Sequence, residues 1–264
     1  MSIQSTHVDG PAAGSMGIPS DDFLAMVRGA LGREDAPPVE PYAPLLDDLA
    51  ALESQAAAVR ERIAGELPGL MTQVADTAAL RGWNVARCAG VEDALDYVVS
   101  LAGRLGATSV ARSEQEVFGA MPVDSALAGV GALCWPAVYE GAESRASVRR
   151  RLEECAMGIT GADYAVAETG SVIVLPRRGL SRLVSVVPPV HVAVVRPQDI
   201  VGTLDDLFAL RRLEFYRNGA EGGGDMGSYL NFITGPSRTA DIEQTIVVGV
   251  HGPKEVHLVM LEQE

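Results

Sequence analysis

The residues best suited to chemistry lie in the stretch Gly158-Ile159-Thr160-Gly161-Ala162-Asp163-Tyr164-Ala165-Val166-Ala167-Glu168-Thr169-Gly170-Ser171-Val172-Ile173-Val174-Leu175. It reads as a glycine turn, a short strand, a polar tip and a second apolar strand. Glu168 sits at that tip, where a strand leaves the sheet, and ligands of open α/β sheets bind at strand exits. Glu168 is either a solvated turn residue or the carboxylate of a site that also holds Thr160, Asp163 and Thr169. Gly170 would then allow close backbone approach.

Three further polar clusters follow. Arg177-Arg178-Gly179-Leu180-Ser181-Arg182 places three arginines in six residues of an acidic protein. Such forks recognise carboxylate or phosphate, unless the loop only balances neighbouring acids. It leads to Val187-Pro188-Pro189-Val190-His191, where His191 is either a hydrogen-bonded structural residue or a base. Next, Thr234-Gly235-Pro236-Ser237-Arg238-Thr239-Ala240-Asp241-Ile242-Glu243 reads as a strand, a Gly-Pro turn and a helix start. Gly235, Ser237, Arg238 and Thr239 at a helix N-terminus would hold an anion. Alternatively Arg238 pairs with Asp241 or Glu243 to fix the turn. Finally, His251 in Val250-His251-Gly252-Pro253-Lys254 is a titratable group at a strand exit.

Composition narrows the classes. The chain has 264 residues, 47% of them hydrophobic, with 21 basic against 35 acidic side chains and a net charge of −14. That balance argues against nucleic acid and anionic membrane as partners. Cys88, Cys134 and Cys155 are far apart, without a C-x-x-C pair, so neither a zinc ribbon nor an internal iron–sulfur cluster is expected. The chain is thus expected to carry no metal and no cofactor of its own. No apolar run is long enough to span a bilayer and no secretory leader is evident, so a cytoplasmic location is expected. No G-x-G-x-x-G follows a predicted strand, and neither G-x-S-x-G nor H-E-x-x-H occurs, which leaves a Rossmann dehydrogenase, a serine hydrolase and a zinc protease unsupported.

The elements that must position these groups follow from periodicity. Residues 1–19 read as a flexible tail, Phe23 to Leu31 as a short helix, and residues 35–41 as a proline-stiffened connector. Residues 44–66 form an amphipathic helix that Pro68-Gly69 interrupts, with a further turn or two reaching Leu80. From Asn84 strands alternate with helices: 84–89, 107–111, 131–135, 163–167, 171–175, 190–195 and 256–261 as strands, and 91–105, 124–129, 145–156 and 199–213 as helices. The pattern predicts a three-layer, doubly wound α/β domain over residues 45–264 with a mostly parallel sheet, and an N-terminal helical arm over residues 1–44.

Taken together, Ile159-Thr160-Gly161-Ala162-Asp163, Ala167-Glu168-Thr169-Gly170, Pro189-x-His191, Ile233 to Glu243 and Gly249-Val250-His251-Gly252-Pro253 resemble the lactate utilization protein C family, the LUD-domain proteins. The resemblance covers roughly residues 45–264 and is sharpest over 157–261. It implies a fold similar to the NagB/RpiA/CoA-transferase class and a non-redox role in bacterial oxidation of L-lactate to pyruvate, alongside iron–sulfur partner proteins. A small carboxylate or phosphate ligand near Glu168, Arg238 and His251 is expected from it, and a homo-oligomer is compatible with it. Ala167-Glu168-Thr169-Gly170 is also similar to the Ser-Glu-Asn-Gly turn of CoA-transferases. The alternative reading is therefore a CoA-transferase-like or sugar-phosphate-isomerase-like enzyme using Glu168 as nucleophile or base.

Overall fold

A computed structural model describes residues 20–32, 48–138, 145–175, 182–220, 229–240 and 246–263. The tail over 1–19, the connector over 35–41, the arginines Arg177 and Arg178, and Asp241 and Glu243 lie outside the described residues. Residues 1–47 form one unit and 48–264 another. In the first, α1 (Ser20–Ala30) turns Phe23, Leu24 and Met26 to solvent.

The second unit begins with α2 (Leu49–Arg81), a helix of 33 residues that runs through Pro68 rather than breaking there. A proline inside a helix removes one hydrogen bond and costs about 3 kcal/mol. Ile63 and Leu67 before it and Leu70, Met71 and Val74 after it pack into one core, and that shared burial holds both halves in line. Gly82, with φ 96°, ends the helix in the left-handed conformation and donates to the Ala78 and Ala79 carbonyls.

Six parallel strands follow in the spatial order β1-β12-β7-β4-β2-β3: β1 (Asn84–Cys88), β2 (Ser109–Arg112), β3 (Leu133–Pro136), β4 (Met157–Gly161), β7 (Val190–Val195) and β12 (Glu255–Leu261). The chain crosses from the β1 edge to β2 through α3 (Val91–Leu105). It moves outward to β3 through α4 (Val117–Ala120) and α5 (Val123–Ala128), then returns through α6 (Arg145–Glu153) to β4, β7 and β12. Connections leaving β2 and β4 therefore run in opposite directions, which opens a crevice at their carboxyl ends.

The period of two along the strands divides the core. Val190, Val192, Val194, Val259 and Leu261 face α3 and α5, while Ala193, Val195, Leu258 and Met260 face the second half of α2. On the α2 side lies a second sheet of order β8-β5-β6-β9, made of β5 (Tyr164–Val166), β6 (Ser171–Val174), β8 (Ile200–Val201) and β9 (Asn231–Ile233). Glu168 thus tips a hairpin of this smaller sheet and not an exit from the main one.

Two more expectations change. The helix predicted from Asp199 begins at Leu204, as α7 (Leu204–Ala220), because Pro197–Asp199 forms a 3-10 turn and β8 intervenes. Thr203 and Asp206 set the start: the Asp206 amide donates to Thr203 Oγ1 (3.1 Å) and the Thr203 amide to Asp206 Oδ2 (3.0 Å). The helix predicted after Ser237 is a hairpin of β10 (Arg238–Ala240) and β11 (Ile246–Val248). Gly235, at φ 106°, redirects the chain, and the backbone of Ser237 is tied to Pro253 and Gly249 (2.9 Å each). The β-branched run Ile246-Val247-Val248 favours the strand.

Candidate functional site

The last turn of α2 is the post around which two separated motifs close. A Cβ on Gly170 (φ 67°) would stand 2.6 Å from the Ala78 nitrogen, and one on Gly235 would stand 2.3 Å from the Arg81 carbonyl oxygen. Both positions need the missing side chain as well as the left-handed backbone. The Arg238 guanidinium reaches the same turn, donating from Nη2 to the Arg81 oxygen at 3.4 Å. A cation fits there, because the carbonyls at a helix C-terminus carry negative partial charge. Arg238 itself is exposed, and among the described residues it opens strand β10 rather than a helix.

Hydroxyls link the two motifs. Thr169 Oγ1 donates to Ser171 Oγ (2.8 Å), which lies 2.7 Å from Thr234 Oγ1. Glu168 faces the other way: its Oε2 accepts the Leu204 amide (3.1 Å) at the start of α7. That is the position of a helix-capping carboxylate. The Asp206 carboxylate beside it pairs with Arg62 of α2.

Thr160 stands elsewhere, in the sheet. Its hydroxyl bonds His191 Nε2 (2.9 Å), and the His191 ring packs on Trp83 with centroids 6.2 Å apart. His191 is fully buried, and burial, with the neighbouring His257 adding to it, pushes its pKa down to about 3. A base held that low is neutral at physiological pH and belongs to the core.

Asp163 lines the crevice at the carboxyl ends of β2, β4 and β7, with Gln115, Glu116, Arg196 and Asp199. Most polar groups there are oriented by another, while the buried Gln115 Nε2 has no hydrogen-bond partner among the described residues. Asp163 Oδ2 accepts the Leu175 amide (2.6 Å) and Gln115 Oε1 accepts the Ser113 hydroxyl (2.7 Å). Arg196 forks onto Asp199 (2.9 and 3.0 Å) and reaches Glu116 from Nη1 (3.2 Å). Burial pushes the Asp199 carboxyl up, against the pull of its arginine. Gly161 lets this packing form, since a Cβ there would meet Val117 at 2.9 Å and Gln115 at 3.0 Å.

Of the remaining expected residues, Arg182 lies over the Tyr229 ring (5.3 Å), Thr239 pairs with Val247 in the hairpin, and His251 is exposed on the loop before β12. Thr169, Gly170, Gly235 and Arg238 are brought together, whereas Thr160, Asp163 and Arg182 are held in other places. Gln115, Arg196 and Asp199 escape the sequence reading. Their signal is position alone: polar residues directly after buried parallel strands. Among the described residues, no three His, Cys, Asp or Glu side chains are placed to hold a metal ion.

An all-parallel sheet wound in two directions, with a smaller sheet and a long helix over one face, defines an α/β domain of the doubly wound class. The LUD domain model matches residues 71–261, and the chain belongs to that family. It is similar to lactate utilization protein C of Halalkalibacterium halodurans, at 37% identity over 112 residues, or 42% of this chain and 46% of that protein. Lactate utilization protein C of Shouchella clausii is 30% identical over 174 residues, 66% of this chain and 70% of that protein. The match thus spans less than half the length of the first of these relatives. A solved structure of a DUF162 family protein from Deinococcus radiodurans aligns with a TM-score of 0.49 and 19% identity, over 74% of this chain and 98% of that one.

Proposed function

We propose that this chain is a non-redox component of L-lactate utilisation that works with iron–sulfur partner proteins and holds a small carboxylate or phosphate around the end of α2. The observation that carries the ligand part is the convergence of Thr169-Gly170 and Thr234–Arg238, more than sixty residues apart, on one helical turn. Arg238 supplies charge and a fork, and Thr169 and Thr234 supply hydroxyls. Membership of the LUD family, and relatives named lactate utilization protein C, support the pathway. Assigning electron transfer to partners is supported by the cysteines, which are three, far apart in the chain and without a C-x-x-C pair.

A nucleophilic or basic Glu168 fits the geometry less well. Attack on an acyl group needs a desolvated carboxylate, whereas Glu168 is exposed and caps α7. The pathway is tested by deleting the gene and comparing growth on L-lactate with growth on pyruvate. Loss on lactate alone is expected; equal growth on both would contradict the proposal.

A further inference from the structure

We infer that the cleft between α2, β5, β8 and α7 binds a small amphipathic carboxylate, with Arg60 holding its charged end. The cleft has a volume of about 490 Å³, and its walls include Ile63, Leu67, Ile200, Val201 and Leu210. Ligand sites fall in this size range: mostly apolar, with a few polar groups that fix orientation. Three such groups are present, Arg60, Tyr164 and Gln198, and the first two also line an adjoining recess of about 310 Å³ with Glu214 and Arg217.

Arg60 is set apart by its lack of a partner. Nearby, Arg62 pairs with Asp206 and Glu66, Arg211 with Glu214, and Arg217 with Glu53. Arg60 has neither a hydrogen bond nor an ion pair among the described residues, in a chain of net charge −14. An acidic protein that leaves a cation unneutralised at the mouth of an apolar cleft presents a site for an anion with an apolar body. Burial raises the Tyr164 phenol above its ordinary value, so it remains a protonated donor beside the guanidinium. Lactate lacks the apolar body for these walls, so this site is separate from the ligand proposed at the end of α2.

The test is calorimetric titration of the full chain with octanoate, octanamide and acetate. Saturable octanoate binding is expected, roughly tenfold tighter than octanamide because a charge-assisted hydrogen bond is lost in the amide, with acetate silent. Arg60→Gln should weaken octanoate about tenfold and leave octanamide unchanged, while Leu67→Gln weakens both; circular dichroism confirms that each variant folds. Absence of saturable octanoate binding, equal affinity for the amide, or octanoate binding indifferent to both substitutions would overturn the inference.

Discussion

Gly170 rests on the backbone of Ala78 with no room between them: a Cβ would lie 2.6 Å from the Ala78 nitrogen and 2.8 Å from its Cα. Helix α2 and the hairpin tip that carries Glu168 and Thr169 therefore meet in direct backbone contact, beside the shared core of Ala75, Ala78, Ala167 and Val172. Gly170→Ala must move one of them and also adopt a disfavoured φ. It is expected to lose about 2–5 kcal/mol of stability in chemical denaturation. Gly65→Ala, a helical position on α2 with nothing within 4 Å, should gain about 0.5–1 kcal/mol. A Gly170→Ala variant as stable as wild type would show that the tip is not seated on α2.

Glu168→Gln should retain function. The amide oxygen can still accept the Leu204 N–H, so only the charge interaction with the start of α7 is lost, at a cost below about 1 kcal/mol. Glu168→Ala removes the cap and should cost about 0.5–2 kcal/mol. Thermal melts and lactate oxidation by both variants check this. An inactive but stable Glu168→Gln protein would return the carboxylate to the chemistry.

Stability should fall with acid well before the carboxylates titrate. His191 is held neutral when folded, with its pKa down at about 3 from an ordinary 6.5, and burial lowers His257 as well. Below about pH 6.5 the unfolded chain binds protons that the folded chain refuses, so unfolding free energy declines as pH drops toward the folded value. His191→Asn should be less stable at pH 7.5 yet show a shallower decline between pH 6.5 and 5. Parallel wild-type and variant curves from urea denaturation would exclude His191 as the cause.

The three thiols are expected to be inert in the native protein. Burial raises Cys88, Cys134 and Cys155 above the ordinary thiol value, and Asp124 adds to the effect at Cys134. Disulfide-exchange reagents at pH 8 should label them only on unfolding. Rapid labelling of any one in the folded state would contradict this.

How far the sequence reveals this structure depends on whether a residue's partner is local. Strand β7 (Val190–Val195) and helix α3 (Val91–Leu105) are read to the residue, because a run of buried apolar side chains and a 3.6-residue stripe are written in neighbouring positions. The passage of α2 through Pro68 is not, since the packing that overrides the proline comes from strands up to nearly two hundred residues away. Nor is the hairpin after Ser237, whose backbone partners are Pro253 and Gly249. At the candidate site, the sequence marks Thr169, Gly170, Gly235 and Arg238 by type, but their shared contact is the end of α2, a plain helical stretch. The same limit hides Gln115, Arg196 and Asp199, single polar residues that only the order β7-β4-β2 brings to one crevice.

The measurement that bears most directly on the central claim is L-lactate-dependent dye reduction in extracts of a deletion strain complemented with wild type or Arg238→Ala. Arg238 is exposed and bonds only weakly to the Arg81 carbonyl, so its removal should cost no more than about 1 kcal/mol of stability. Wild type is expected to restore lactate oxidation, whereas Arg238→Ala, folded by circular dichroism and present at equal level, is not. Full activity from Arg238→Ala would contradict a ligand site around the end of α2.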